Sequence, residues 1–187
     1  MDYKAVIIGG SAGSFQVITK IIASLPANFP MPVILCLHRL KHVRSGFVEA
    51  LLIKSNMPII EPNDKDSIKS GKIYLAPANY HMFVELGNRF TLSTEDSVNH
   101  SRPSIDLSFF SASYNYKKKL VGIILSGANR DGALGLKSVK DSGGLTIVQD
   151  PKECQVATMT EASMSVTNVD HVYNTRQIID FLLNLAN

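Results

Sequence analysis

Three side chains stand where an enzyme would use them. Ser11 follows the apolar run Val6–Gly10, His38 follows Val33–Leu37, and Asp131 follows "IILSGANR". A serine hydroxyl is too weak an acid to attack a carbonyl unaided. A neutral imidazole within hydrogen-bond reach removes its proton, and a buried carboxylate fixes the imidazole tautomer and stabilises its cation. Triads are defined by geometry, so the order Ser, His, Asp along the chain is no obstacle. The amide of Ala12, near the start of the first helix, and one near Ala128 in "SGAN" are candidate donors to an oxyanion. Each residue taken singly has a structural role available: Ser11 and Asp131 as N-caps, His38 as a strand-end histidine. Their coincidence at three strand ends favours the chemical reading. Asp150, at the end of "LTIVQD", is a rival for the acid.

Those positions matter because of the elements that carry them. "YKAVIIG", "PVILCLH", "KIYLAP", "KLVGIILSG" and "LTIVQD" are short continuous apolar runs, as strands buried on both faces require. Between them lie helical segments. "FQVITKIIASL" places Phe15, Ile18, Ile21, Ile22 and Leu25 on one stripe, and "GFVEALLIKSN" turns Phe47, Ala50, Leu51 and Leu52 inward. "SIDLSFFSASYNY", "DGALGLKSVKDSGG", "ATMTEASM" and "TRQIIDFLLNLA" supply the remaining helices. "HMFVELGNRFTLST" alternates around Gly87-Asn88 and predicts an antiparallel hairpin. The order implies a doubly wound α/β fold in three αβα layers, with a mainly parallel sheet and that hairpin appended. Residues 1–187 read as one domain. In such a sheet, ligands collect at the carboxyl ends of the strands, where Ser11, His38 and Asp131 fall.

Composition narrows the class. The 187 residues are 45% hydrophobic and 19% charged, which suits a folded globular protein with a full core. The net charge of +3 is mild, Trp is absent, and no aromatic–basic alternation offers a stacking platform. Nucleic-acid binding is not indicated. No apolar stretch approaches the ~20 residues that span a bilayer, and the N-terminus lacks the pattern of a signal peptide. A cytoplasmic protein without membrane insertion is expected. Cys36 and Cys154 match neither a metal spacing nor a redox pair, and Cys36 sits in an apolar strand as a small hydrophobe.

"GGSAG" matches the G-x-S-x-G elbow of α/β-hydrolases, but that elbow lies deep in those chains and not after the first strand. Gly9, Gly10 and Gly13 miss the dinucleotide spacing, and the second strand ends in His38-Arg39 where a ribose-binding acid would stand. His38 and His42 are four apart, but Arg39 and Lys41 lie between them and a metal site is not expected. No cofactor is implied.

Several segments together resemble the catalytic domain of the CheB protein-glutamate methylesterases: "IGGSAGS", "LCLHRL", "GKIYLAPANYHM", "HSRPSIDLSFFSAS", "GIILSGANRDGALGL" and "IVQDPKECQVATMTEASM". The resemblance implies hydrolysis of glutamate methyl esters on chemoreceptors, glutamine deamidation as a related activity, and a triad on Ser11, His38 and Asp131. The expected partner is a methylated chemoreceptor or similar signalling protein. Arg102 in "RPSID" then stands as a substrate-binding candidate, or as a structural partner of Asp106. His81 is a candidate lining residue or a structural one, and Met159 a packing residue. Ala12-Gly13-Ser14, Arg39-Leu40 and Asn129-Arg130 depart from the family pattern at the rim. Typical members carry an N-terminal receiver domain, whereas this chain begins at the catalytic strand. Gating in cis by phosphorylation is therefore not expected, and a separate regulatory protein is an alternative. A partner-binding scaffold on the same fold is the competing function.

Overall fold

The first strand, β1 (Ala5–Gly10), is buried at every position, which explains why its sequence shows no polar alternation. It is the centre of a seven-stranded parallel sheet. The computed structural model describes residues 2–38 and 44–186, apart from the side chains at 44, 45 and 47. His42, Arg39, Leu40, Lys41 and the side chain of Phe47, all weighed above, lie outside the described residues. After β1 come α1 (Phe15–Ser24), β2 (Val33–Leu37), α2 (Arg44–Lys54), β3 (Ile59–Ile60), β4 (Ile73–Leu75) and the hairpin strands β5 (His81–Glu85) and β6 (Arg89–Ser93). Then follow α3 (Ile105–Tyr116), β7 (Leu120–Ile124), α4 (Ala133–Asp141), β8 (Leu145–Gln149), α5 (Thr158–Val166), β9 (His171–Tyr173) and α6 (Thr175–Asn184).

The strands lie in the order β3-β4-β2-β1-β7-β8-β9, and β5–β6 form a separate two-stranded sheet. The chain leaves β1 toward β2 on one side and returns to place β7 on the other. The order therefore reverses between β1 and β7, and a crevice opens at their carboxyl ends. Strand alternation divides the interior into two cores. Val6 and Ile8 of β1 face one side with Ile18, Ile21 and Ile22 of α1 and Ile178 of α6. Ala5 and Ile7 face the other side with Ile105 and Phe109 of α3 and Leu136 of α4. Fully burying one such isoleucine contributes about 1.5–3 kcal/mol.

Two predicted helix faces are corrected. On α1, Phe15 is 36% exposed, and Val17 joins Ile18, Ile21 and Ile22 inside. On α2, Leu51 is buried but Leu52 is 47% exposed, because the inward stripe there is narrower than the apolar run. The edge strands β3 and β9 also escaped sequence reading. At two and three residues they are too short to show a period. Among the described residues, no helix is long and apolar enough to cross a membrane.

Candidate active site

Backbone register brings the first two site residues together. Gly10 pairs with Leu37, and the His38 amide donates to the Gly10 carbonyl at 3.2 Å. Parallel neighbours lie about 4.8 Å apart, so positions 11 and 38 are adjacent across the strand ends. Continued alternation puts both positions on the face that carries α3: Ile7 precedes position 11 in phase, and Ile34 and Cys36 precede position 38.

The third residue reaches them from the β7–α4 loop. Asp131 is fully buried, and its Oδ2 accepts from His38 Nε2 at 2.8 Å. Four more donors fix the carboxylate. Ile105 N donates to Oδ2 at 2.6 Å, while Asp106 N, Ser104 Oγ and Asn99 Nδ2 donate to Oδ1 at 3.1, 2.9 and 3.1 Å. The two amides belong to the first turn of α3, whose N–H groups have no partner within the helix and favour an anion. Burial alone would raise the Asp131 pKa. The His38 donor, the Ile105 and Asp106 amides and Asn99 outweigh it and hold the carboxyl below its usual 3.8.

Asp106 returns the arrangement. Its Oδ1 accepts from the amides of Gly132 and Gly135 at 2.9 and 2.7 Å, capping α4, and its Oδ2 accepts from Asn99 Nδ2 at 3.0 Å. Burial pushes this carboxyl up, the Asp131 charge adds to the rise, and the Gly135, Gly132 and Asn99 donors oppose it. Each acid thus caps the helix that the other begins. Gly132 permits the approach: its φ is +100°, and a Cβ there would lie 2.7 Å from Ile105 Cγ2.

With its Nε2 proton directed at Asp131, His38 leaves Nδ1 as the basic nitrogen. Ser101 Oγ lies 3.5 Å from that atom, at the limit of hydrogen bonding. The Ser11 hydroxyl makes no hydrogen bond among the described residues; its backbone holds the residue instead. The Ser11 amide donates to the Ser126 carbonyl at 2.9 Å, and the Ser11 carbonyl accepts from Ser14 N at 3.1 Å and Ser14 Oγ at 2.7 Å. Ser126 Oγ donates to the Ala12 carbonyl at 2.8 Å and accepts from Val156 N at 3.0 Å. Gly13, at φ +83°, completes the turn; a Cβ there would sit 2.5 Å from Gln155 Cβ. Ala12 and Ala128 are exposed, and their amides donate to no group among the described residues.

The structural roles weighed for these residues are taken by others. The N-cap position of α1 is Ser14 and that of α4 is Gly132, so neither Ser11 nor Asp131 caps its own helix. Asp150 caps a short 3-10 turn through Lys152 N at 2.9 Å, away from His38. His81 does not line the crevice. It is fully buried, its Nδ1 accepts from Ser104 N at 3.2 Å, and its Nε2 donates to the Asp96 carbonyl at 2.9 Å. Arg102 does not pair with Asp106; its Nη1 donates to the Thr94 and Glu95 carbonyls at 2.6 and 2.8 Å. Met159 is fully buried against Gly127. Among the described residues, no group of three or more His, Cys, Asp or Glu is placed to hold a metal ion.

Sequence reasoning missed Asn99, Ser101, Asp106 and Ser126. Asp106 carried a signal, an acid in the first turn of a helix that Ser104 caps through Leu107 N. Asn99 and Ser101 carried none, because their partners are distant in sequence.

Residues 6–182 match the family model described as CheB methylesterase. A putative protein-glutamate methylesterase/protein-glutamine glutaminase of Leptospira interrogans is 40% identical over 185 residues, 99% of this chain and 96% of the relative. A protein-glutamate methylesterase/protein-glutamine glutaminase of Thermotoga maritima is 31% identical over 98% of this chain, which spans 54% of that longer protein. The crystal structure of the Thermotoga maritima CheB methylesterase catalytic domain superposes with a TM-score of 0.93 at 30% identity, covering 99% of this chain and all of that one.

Proposed function

The chain belongs to the CheB methylesterase family, and from that membership we propose that Ser11 is its nucleophile, His38 its general base and acid, and Asp131 its orienting carboxylate. The reaction is hydrolysis of glutamate γ-methyl esters, and the substrate is a methylated chemoreceptor or a similar signalling protein. Ser11 Oγ attacks the ester carbonyl as its proton passes to His38 Nδ1. The tetrahedral oxyanion lies toward the unpaired amides of Ala12 and Ala128. Collapse expels the methoxy group, which takes the proton from His38 and leaves as methanol. Water, deprotonated by the same nitrogen, then attacks the acyl-enzyme; the proton returns to Ser11, and the glutamate is released. A side-chain amide follows the same course with ammonia as leaving group, so glutamine deamidation is a second reaction of this site.

The carrying observation is the 2.8 Å bond between His38 Nε2 and a fully buried Asp131, beside a serine one strand spacing away. That bond fixes which nitrogen is basic. Ser11→Ala tests the reading through methanol release from a methylated receptor. Activity falls on the order of 10⁶-fold, as when a serine hydrolase loses its nucleophile, while the melting temperature is unchanged. Activity close to wild type in that variant would reject the mechanism.

A further inference from the structure

We propose that Asn99 is a positioning residue of this site, whose amide holds the Asp131 carboxylate in place for His38; the proposal rests on the triad reading above. Residues 98–101 form a tight turn. Val98 N donates to the Ser101 carbonyl at 3.2 Å, and Ser101 N donates to the Val98 carbonyl at 2.9 Å. The two central residues, Asn99 and His100, have φ of 52° and 61°. Positive φ at both centres is the signature of a type I′ turn, a geometry that most side chains resist and asparagine tolerates.

The turn delivers the Asn99 amide between two buried acids. Nδ2 lies 3.1 Å from Asp131 Oδ1 and 3.0 Å from Asp106 Oδ2. An amide nitrogen carries two protons that point apart, so one neutral group serves two carboxylates. Asn99 itself is exposed, and the two acids beneath it are buried; without its amide, two carboxylates of like charge would face each other with no neutral donor between them. A proton taken up by the pair would favour Asp106, whose carboxyl burial raises, so what Asp131 loses is position: its carboxylate is freer to turn away from His38. The same turn places Ser101 Oγ 3.5 Å from His38 Nδ1, so both members of the His38–Asp131 pair meet it.

The alternative is that Asn99 only shapes the turn. Two substitutions separate these roles, because both keep a residue that accepts positive φ. Asn99→Gly removes the amide, and Asn99→Asp replaces a donor with an acceptor. We expect kcat to fall about 10- to 100-fold in Asn99→Gly, as for small misplacements of catalytic groups, with KM within about twofold. Asn99→Asp loses more. The titratable groups facing Asp131 are His38 and Asp106. With one donor gone, the Asp131 carboxyl takes up a proton more readily, so the acid limb of kcat/KM moves to higher pH in Asn99→Gly. Wild-type kcat in Asn99→Gly overturns the proposal. So does a loss of kcat that tracks a lowered melting temperature and leaves the pH profile unmoved, or a milder effect from Asp than from Gly. Ser11→Ala run alongside keeps the two readings apart. If Ser11→Ala is inactive and Asn99→Gly is normal, only the positioning role fails; if Ser11→Ala is active, the triad reading itself fails.

Discussion

The two halves of the crevice are held by different means. On the acid side, Asp131 accepts from five donors supplied by β2's end, the 98–101 turn and the start of α3. On the nucleophile side, the Ser11 backbone is bonded at its amide and its carbonyl, while the hydroxyl is unbonded among the described residues. Under the roles proposed above, the difference follows from what each group must do. A buried carboxylate left short of donors would take up a proton and cease to orient the imidazole, so it is surrounded. A nucleophile must leave its resting rotamer to reach a carbonyl, so only its backbone is fixed. Charge is immobilised, and the reacting oxygen is presented.

Ser11→Ala apart, a change on the acid side has the larger effect. Asp131→Asn keeps the shape but offers an amide to the Ile105 and Asp106 N–H groups and removes the charge from His38. Turnover is expected to fall roughly 10⁴-fold, the cost of the equivalent change in a serine protease. The Asn oxygen still accepts from one α3 amide; leaving the other without an acceptor costs about 1–3 kcal/mol, read as a lower denaturant midpoint. Loosening the nucleophile side costs less. Ser126→Ala frees the Ala12 carbonyl and the Val156 amide, so the Ser11 turn loses a tether. A kcat loss of about 10²-fold, with KM little changed, is the expected kinetic outcome.

The two acids sharpen the comparison on a finer scale. The Asp131 carboxyl is held below its usual 3.8. The unfolded chain therefore binds this proton first, and the stability it contributes above 3.8 is lost as pH falls through the folded value. Asp106 is raised by burial, with Gly135 and Gly132 amides opposing and Asp131 adding. Its contribution has the opposite sign: present below 3.8 and lost as pH rises through the folded value. Denaturant midpoints measured from pH 3 to 7 should show a shallower acid-side decline in Asp131→Asn and a steeper one in Asp106→Asn.

Much of this was legible in the residues because it is local. Continuous apolar runs marked β1, β2, β7 and β8, and the strand-end rule put Ser11, His38 and Asp131 on one rim. The apolar face of α2 was misjudged because Leu52 and Ile53 continue the run on its solvent side; Ile53 is 80% exposed. Arg102 and His81 were read as candidates for the crevice because both sit near its motifs. Their partners, the Thr94, Glu95 and Asp96 carbonyls, are set by how the 94–104 segment packs. Asn99 shows the same limit: its two acids are seven and 32 residues away, and only folding brings them to one amide.

The central claim is that Ser11, and no other hydroxyl, is the nucleophile activated by His38. Ser101 makes this a sharp question, since its hydroxyl is 3.5 Å from the basic nitrogen. A fluorophosphonate that reacts with activated serines, followed by peptide mass spectrometry, addresses it directly. The account predicts one adduct per chain on the peptide carrying Ser11, abolished in His38→Ala and retained in Ser101→Ala. An adduct on Ser101, or labelling of Ser11 that is unaffected by loss of His38, would contradict it.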